Sequence, residues 1–466
     1  MRPVWRMAFG LACPTKEEPM SKTRDLTTGS ITGGLWLFAV PLMLGNVLQQ
    51  LYNLVDTWVV GRYIGDSALA AVGASYTLLT FLTSVVIGLS LGTGAFISIA
   101  FGRGDAPRIR QGIFLSGLLI AGLSLLIMAL FYAFLRPVIA LLQVPATLVE
   151  EMYGYLAWVF PGFFATFLYN YFASLLRGMG NSGTPLLFLA VSVVLNVVLD
   201  LHFVINLHLG IQGAAIATVI AQYVSGIGLA LYFWLACPQY RPRRADMRWD
   251  RQNFHSILSL SGLTCLQQSM MNFGILLVQG VVNSFGPVVM AAFAVAVKID
   301  TIAYMPVQDF GNAFSVFVAQ NHGAGQQGRI RAGIRQAAVS VALFCGVVSA
   351  LVWAFAPALM GVFVDGANQQ TIAVGAQYLR IEGACYIGIG LLFMLYGYYR
   401  AVERPMMSVV LTVLSLGTRV LLANVLSAIP AVGVVGIWVS IPIGWALADL
   451  VGIWYHFVRE GKAPGP

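Results

Sequence analysis

Twelve long apolar stretches, separated by short charged or Pro- and Gly-rich segments, run through this chain of 466 residues. A helix needs about 20 mostly apolar residues to cross a bilayer, and every one of these stretches is long enough. They cover residues 34–60, 70–101, 112–135, 151–176, 185–206, 211–236, 256–282, 288–320, 333–363, 377–399, 406–428 and 432–458. We therefore predict an all-α integral membrane protein with twelve transmembrane helices.

The scarcity of charge excludes a soluble protein of this length. Charged residues make up 9% and hydrophobic residues 59% of the sequence, whereas soluble domains have about 25% and about 45–50%. The five cysteines include no Cys-x-x-Cys pair, so neither a disulfide framework nor a zinc site is indicated. The first 29 residues lack the apolar core of a signal peptide, and we expect the first apolar stretch to be retained. Met20 is a second candidate start.

The placement of the basic residues predicts the orientation. With the N-terminus inside, the cytoplasmic segments hold 21 of the 26 Lys and Arg residues, and the outer loops hold only Arg62 and Arg136. Lys298, Arg380 and Arg419 fall within spans. Because Lys and Arg collect on cytoplasmic loops, we predict a protein of the cytoplasmic (inner) membrane with both termini inside. The net charge of +8 then reflects basic residues on the cytoplasmic segments of a membrane protein, and no nucleic-acid partner is expected.

The two halves of the chain share a repeated sequence. Segment 102–112 recurs as 323–333 with six of eleven positions identical, and at a similar offset Tyr155 matches Tyr378. The predicted organisation is a cytoplasmic tail (1–29), an N-lobe (30–236), a basic linker (237–255), a C-lobe (256–458) and a second tail (459–466). Because each lobe has six spans, the lobes have the same orientation, as in one repeat class of secondary transporters. This favours alternating access over a pore.

Acidic residues inside spans are functional suspects because burying a charge in lipid is costly. Asp56 and Asp200 both lie roughly 6–8 Å below the predicted outer boundary, at 1.5 Å of rise per residue. Four further oxygen-bearing side chains lie one helical turn away or at a similar depth: Tyr52, Asn53, Asn196 and Thr218. Two nearby carboxylates cannot both ionise cheaply in a medium of low dielectric constant. We expect this group to bind a proton or a small hard cation such as sodium, although each Asp could instead be satisfied by its own neighbours.

The second lobe does not reproduce this group, since Leu277 stands at the repeat position of Asp56 and Arg419 at that of Asn196. Glu382, one turn from Tyr378, is a second candidate for ion coupling. The competing interpretation is a buried network of ion pairs, with these members: Lys298, Asp300, Arg380, Glu382 and Arg419.

Spans 1 and 7 are the equivalent first helices of the two lobes and are expected to line the substrate cavity. Their candidate contact residues are Gln49, Gln50, Met270, Met271, Phe273 and Gln279. Met and aromatic side chains adapt to varied apolar ligands, although ordinary core packing is the competing explanation. Pro41 removes a helix hydrogen bond and is the predicted hinge of span 1.

Several motifs together resemble the multidrug and toxic compound extrusion (MATE) family. They are Gln50-Leu-Tyr-Asn-Leu-Val-Asp56, Leu69-Ala-Ala-Val-Gly73, Arg177-Gly-x-Gly-Asn181, Gly210-x-x-Gly-Ala-Ala-Ile-Ala-Thr218 and Gln320-Asn-x-Gly-Ala-Gly325. The resemblance covers nearly all of residues 30–458 and implies a twelve-helix exporter with two six-helix lobes, driven by proton or sodium antiport. Tyr52, Asp56, Asn196, Asp200 and Thr218 match the N-lobe cation site of the DinF-like branch. The second lobe departs from the NorM-like pattern, because span 7 has no acidic residue and Glu382 stands where an Asp is expected.

We therefore predict a monomeric, cation-coupled exporter of amphipathic organic compounds, with cationic compounds the expected class. Neither an organic cofactor nor a resident metal is expected, and the sequence has no Gly-x-x-x-x-Gly-Lys-Ser/Thr loop of an ATPase. The main alternative is a lipid-linked saccharide flippase of the same superfamily, for which the basic residues in spans 8, 10 and 11 would face the cavity. An integral-membrane enzyme is disfavoured because the five histidines are scattered along the chain.

Overall fold

The computed structural model describes residues 25–141, 148–364 and 368–460. In this part of the chain the regular structure is helical, which confirms the predicted all-α class. The α-helices are α1 (Ile31–Tyr63), α2 (Asp66–Arg103), α3 (Ala106–Leu141), α4 (Val149–Val159), α5 (Gly162–Gly178), α6 (Gly183–Leu201), α7 (Gly210–Ala236), α8 (Arg251–Asn283), α9 (Pro287–Gly323), α10 (Gln327–Gly361), α11 (Gln369–Gly383), α12 (Tyr386–Ala401), α13 (Pro405–Ser427) and α14 (Val435–Glu460).

Ten of these helices are long and apolar enough to cross a membrane by themselves. The other four form two bent pairs, α4 with α5 at 44° and α11 with α12 at 53°. Counting each bent pair as one span gives twelve within the described ranges, and each coincides with one predicted stretch. The predicted number of spans is confirmed, but spans 4 and 10 are broken rather than continuous.

The two breaks have different local causes. Span 4 breaks at Pro161, which precedes α5 and has no N–H to continue the hydrogen bonding of α4. Span 10 breaks after Gly383 without a proline, where the backbone of Cys385 leaves the helical region (φ −111, ψ 13). The Cys385 N–H donates instead to the Glu382 carbonyl at 2.8 Å, in a tight turn. The repeat thus places a break in the fourth span of each half.

Contacts divide the described chain into two compact units. Unit one comprises 25–28 and 40–265, and unit two comprises 29–39 and 266–460. The division falls within α1, beside Pro41, and within α8, rather than in the basic linker. The lobe boundaries drawn from the repeat therefore remain a prediction about sequence symmetry rather than a description of packing.

Small residues allow close helix approach within each unit, as is usual in membrane helix bundles. In unit one, a Cβ at Gly92 of α2 would overlap the backbone of Leu260 and Ser261 in α8. The neighbouring Thr93 and Ser261 hydroxyls are 3.1 Å apart. In unit two, a Cβ at Gly397 of α12 would lie 2.5 Å from the Gly311 carbonyl oxygen of α9.

The basic linker belongs to unit one and makes polar contacts with the start of α3. Arg110 Nε lies 2.6 Å from Asp246 Oδ2, and the same oxygen accepts from the Arg243 N–H at 3.1 Å. Asn253 donates to Gln111 Oε1 at 2.6 Å. The hydrogen bond from Arg110 holds the pKa of Asp246 below its usual value.

Candidate ion-binding site

Three helices of unit one meet at the hydroxyl of Thr218. The Tyr52 hydroxyl of α1 donates to Thr218 Oγ1 of α7 at 3.2 Å, and Asn196 Nδ2 of α6 reaches the same oxygen at 3.5 Å. Asp200 lies one turn along α6 from Asn196, and the two side chains interact. The structure therefore brings together side chains that lie more than 160 positions apart in the sequence.

Two carboxyl groups complete this cluster. Asp200 is fully buried, at 0% exposure, and it interacts electrostatically with Asp56 and with Tyr52. Both carboxylate oxygens of Asp200 and Oδ1 of Asp56 are buried, with no hydrogen-bond partner in the part of the chain that the structure describes. Asn196 Oδ1 is likewise buried without a hydrogen-bond partner among the described residues. Because unsatisfied buried acceptors are costly, this arrangement favours a bound proton or cation among these oxygens.

Tyr155 of α4 also belongs to the cluster, although the sequence did not single it out as a site residue. Its side chain is buried at 6% exposure and interacts electrostatically with Tyr52, Asp56 and Asp200. The signal was present in the repeat, which equates Tyr155 with Tyr378 of the second half.

A π-helical turn begins two residues after Asp200. It covers His202–Asn206, and the Leu207 N–H donates to the His202 carbonyl at 3.1 Å, five residues back. Such turns are rare and are often found at functional sites. Nothing in the apolar pattern of span 5 predicted it.

Asn53 and Pro41 are the remaining candidates on α1, and their roles stay predictions. The backbone carbonyl of Asn53 accepts a hydrogen bond from the Thr57 hydroxyl at 2.7 Å, and its side chain is only half-buried. Pro41 lies inside α1, next to the point where that helix passes from unit two to unit one. Its role as a hinge stays a prediction.

The predicted cavity residues have varied surroundings. Gln49 and Gln50 are exposed, and Met270 is half-buried. Gln267 Nε2 lies 2.8 Å from Met271 Sδ, and Gln279 donates to Asn283 Oδ1 at 2.8 Å. The side chain of Phe273 lies outside the described residues. A substrate-contact role for these six positions therefore remains a prediction.

Unit two contains a second carboxyl cluster. The Tyr378 hydroxyl donates to Glu382 Oε2 at 2.7 Å, and the Glu382 carboxyl interacts with that of Asp300 in α9 and with the charge of Arg419 in α13. These three charged residues belong to the ion-pair network predicted from the sequence.

The prediction of a buried ion-pair network of five residues is wrong for Lys298 and Arg380. Lys298 and Arg380 are exposed on their helices, and the guanidinium of Arg380 lies 5.6 Å from the ring centroid of Trp353. The long stems of Lys and Arg allow their charged heads to leave an apolar interior.

Comparison with known proteins identifies the same double architecture. The MatE family model matches residues 41–201 and matches again over 264–425. The two matches begin 223 residues apart, which is the offset that relates Tyr155 to Tyr378.

Full-length relatives and structures are also similar. The probable multidrug resistance protein YpnP of Bacillus subtilis is 30% identical, over 84% of this chain and 88% of that protein. An FAD transporter of Shewanella oneidensis is 23% identical, over 91% of this chain and 94% of that protein. A solved structure of a multidrug resistance MATE family transporter in an outward-facing conformation has a TM-score of 0.85 at 23% identity, covering 96% of this chain and all of that one.

Proposed function

Because the chain belongs to the multidrug and toxic compound extrusion family, we propose that it exports amphipathic organic compounds by antiport against an inward proton or sodium gradient. The observation that carries this proposal is the pair Asp56 and Asp200 in unit one. Asp56 Oδ1 and both carboxylate oxygens of Asp200 are buried and lack a hydrogen-bond partner in the described structure. A group of unsatisfied acceptors inside a membrane protein is suited to a positive ion that binds and leaves.

The chemistry of the cluster accommodates either ion. A proton would bind on one carboxyl oxygen, and the neutral carboxylic acid could then donate a hydrogen bond to the other carboxylate. Sodium would instead require a shell of oxygens, which the carboxylates could share with Tyr52, Asn196 and Thr218. In both cases the ion reduces the repulsion between Asp56 and Asp200, so the occupied and empty states favour different packing of α1, α6 and α7. That difference couples the ion to the conformation.

The ion gradient is sufficient for export. One charge that moves through 100 mV releases roughly 2.3 kcal/mol, and each tenfold ratio of concentrations costs about 1.4 kcal/mol. One coupled ion per cycle, exchanged for an uncharged substrate across 100 mV, would therefore sustain a substrate gradient of roughly fortyfold. For a monovalent cationic substrate the same exchange moves no net charge, and the ratio of ion concentrations across the membrane sets the substrate gradient.

We further propose that the protein acts as a monomer in the cytoplasmic membrane, with both termini in the cytoplasm. The support is the 21 basic residues on one predicted side and two on the other. The expected partners are lipid and small amphipathic molecules, cationic ones in particular, rather than nucleic acid. The relatives are transporters, and no enzymatic activity is proposed.

A lipid-linked saccharide flippase remains the second candidate, because exposed Lys298 and Arg380 could face an anionic headgroup. Efflux of a fluorescent cation from cells and flipping of a fluorescent lipid in proteoliposomes would separate the two functions. Transport of the cation alone is expected.

The decisive experiment measures cation efflux from proteoliposomes under an imposed proton or sodium gradient. With an imposed tenfold ion gradient, one-for-one exchange should sustain a substrate ratio of about tenfold. Asp56→Asn and Asp200→Asn should each bring this ratio towards unity, because the neutral amide cannot exchange a proton. Glu150→Gln is the matched control, since Glu150 has a side chain 73% exposed in a surface pair with Arg136. Coupled efflux that survives in both Asp variants would refute the proposal.

A further inference from the structure

Arg380 places a positive charge on an exposed helix face of unit two, within span 10. Its side chain is exposed on α11, and its guanidinium carbon lies 5.6 Å from the ring centroid of Trp353 in α10, which is exposed as well. Among the ten single-helix spans of the described chain α10 is the least buried, since only 17% of its apolar stretch is covered by protein. An apolar face that is exposed to this extent in a membrane protein contacts lipid.

The guanidinium of Arg380 has no carboxylate within ion-pair distance among the described residues. Arg136 of unit one is a useful comparison, because its guanidinium carbon also lies near an aromatic ring, 4.8 Å from the centroid of Tyr153. Arg136 has in addition the carboxylate of Glu150, whose Oε1 is 3.4 Å from its Nη1. An unpaired charge is costly in lipid, and a cation–π contact offsets only part of that cost. The charge of Arg380 is therefore best matched by an anion that the chain itself does not supply.

A groove of about 530 Å³ lies beside the Arg380 side chain. It is lined by successive turns of α11, with these residues: Ala373, Val374, Gln377, Arg380 and Ile381. Gln377 lies one turn before Arg380 and is exposed, so its amide can donate a hydrogen bond to an anion held by the guanidinium. The other three lining side chains are apolar. The lining therefore offers an amide and a guanidinium to a charged headgroup, and apolar side chains to an acyl chain.

Arg380 and Trp353 lie at the depth of the lipid headgroups. With 35 residues, α10 is about 52 Å long and exceeds a hydrocarbon core of about 30 Å by about 11 Å at each end when it is centred. Trp353 lies about 12 Å from the end of α10 at Gly361, and Arg380 about 16 Å from the start of α11 at Gln369, at about 1.5 Å per residue. Both are thus just inside the boundary, where Trp is favoured and the long stem of Arg carries its charge to the headgroups.

We propose that Arg380, Gln377 and Trp353 form a binding site for an anionic phospholipid in the leaflet on the predicted outer side. The lipid phosphate accepts hydrogen bonds from the guanidinium fork and from the Gln377 amide, and an acyl chain lies along the apolar part of the groove. An anionic phospholipid is favoured over a zwitterionic one, because its headgroup brings no cation that competes with Arg380 for the phosphate. This lipid is a bound partner of the protein, separate from the ions and substrates of the proposed function.

The affinity of the site can be measured by native mass spectrometry of the purified full-length protein. The protein would be titrated with phosphatidylglycerol and, separately, with phosphatidylcholine that has the same acyl chains. We expect the wild type to retain phosphatidylglycerol more tightly. Arg380→Gln should weaken the binding of one phosphatidylglycerol by on the order of tenfold. Arg380→Lys keeps the charge but loses the guanidinium fork, and its affinity should fall between the two.

Arg136→Gln is the matched control and should bind phosphatidylglycerol like the wild type, because Arg136 already has the carboxylate of Glu150. The arginines of the cytoplasmic segments also attract anionic lipid, but they are the same in every variant, so the difference between variants reports on the groove. A photoreactive phosphatidylglycerol then locates the lipid. Its cross-links should map to α10 and α11 in the wild type and be lost from them in Arg380→Gln. The melting temperature of each variant checks that it is folded.

Phosphatidylglycerol binding by Arg380→Gln as tight as by the wild type would overturn the site, and so would cross-links to α11 that persist in this variant. Equal affinity of the wild type for phosphatidylglycerol and phosphatidylcholine would overturn the preference for an anionic lipid. Both readouts measure equilibrium binding rather than transport. Failure here would therefore leave the proposed export untouched, and absence of efflux would leave these outcomes interpretable.

Discussion

Asp200→Asn should make the ion-free protein more stable while it removes coupled transport. The Asp200 side chain is fully buried, and both of its oxygens lack a hydrogen-bond partner in the described chain. A buried group left in this state costs about 1–3 kcal/mol, and more if it is charged. Asn has nearly the same shape, cannot carry the charge, and brings an amide that can donate to neighbouring oxygens. We expect a gain of about 1–2 kcal/mol after part of the penalty is retained.

The assay is thermal unfolding of the purified protein without sodium or substrate at alkaline pH, where a bound proton is released, together with efflux from proteoliposomes. The melting temperature of Asp200→Asn should exceed that of the wild type by a few degrees. The matched comparison is Asp250→Ala. Asp250 Oδ1 accepts from the N–H groups of Gln252 at 2.8 Å and Asn253 at 3.1 Å, so it caps α8, and its loss should cost about 1 kcal/mol with coupling intact.

Opposite signs in the two variants would show that Asp200 is retained for ion coupling at the expense of stability. The reasoning is refuted if Asp200→Asn melts well below the wild type. That result would mean that its carboxylate makes favourable native contacts and that the site needs no ion to satisfy it.

Three further predictions concern packing, pH and the tyrosine of α4. Gly92→Ala should lower the free energy of unfolding by about 1–3 kcal/mol through overpacking against α8, as measured by thermal unfolding. Gly122→Ala is the control and should not lower it, because a Cβ there would have no neighbour within 4 Å. Asp246→Asn should lower the free energy of unfolding at pH 7 by at most about 1 kcal/mol, because its pair with Arg110 lies near the surface, and thermal unfolding measures the loss. Because Arg110 lowers the pKa of Asp246, this contribution is complete above about pH 4 and should vanish as the pH falls through the lower folded-state value; a difference that persists at pH 2 would contradict it. Tyr155→Phe should reduce ion-coupled efflux, with Tyr153→Phe on the same helix as the control, and equal efflux in the two variants would remove Tyr155 from the site.

Hydropathy was sufficient to predict the spans because a lipid environment requires long apolar helices, and each predicted stretch falls on a helix or a bent pair. It could not predict the break of span 10, since Gly383-Ala384-Cys385 contains no helix-breaking proline. Hydropathy also could not predict the π-helical turn after Asp200. Both features depend on where backbone hydrogen bonds are exchanged between neighbouring turns, and apolar composition does not report that.

The ion clusters were predictable only in part. Helical periodicity placed Asn196 with Asp200 and Tyr378 with Glu382, because each pair shares one helix. The contact of Asp300 with Glu382 joins α9 to α11 and depends on packing that no local spacing encodes. The exposure of Lys298 was missed for the same reason, since which face of α9 turns outwards is decided by its neighbours.

The two halves of the repeat share their helix arrangement but differ in the charged residues of their carboxyl clusters. Each half has a broken fourth span, and Tyr155 and Tyr378 occupy the same repeat position beside a pair of carboxyls. The carboxyls themselves do not correspond, since they come from α1 and α6 in unit one but from α9 and α11 in unit two. At the position where unit one has the neutral Asn196, unit two has Arg419. A neutral amide adds no net charge beside the carboxyls of unit one, whereas a guanidinium adds a fixed positive charge beside those of unit two. One difference at equivalent positions of the repeat therefore gives the two carboxyl clusters different electrostatic surroundings.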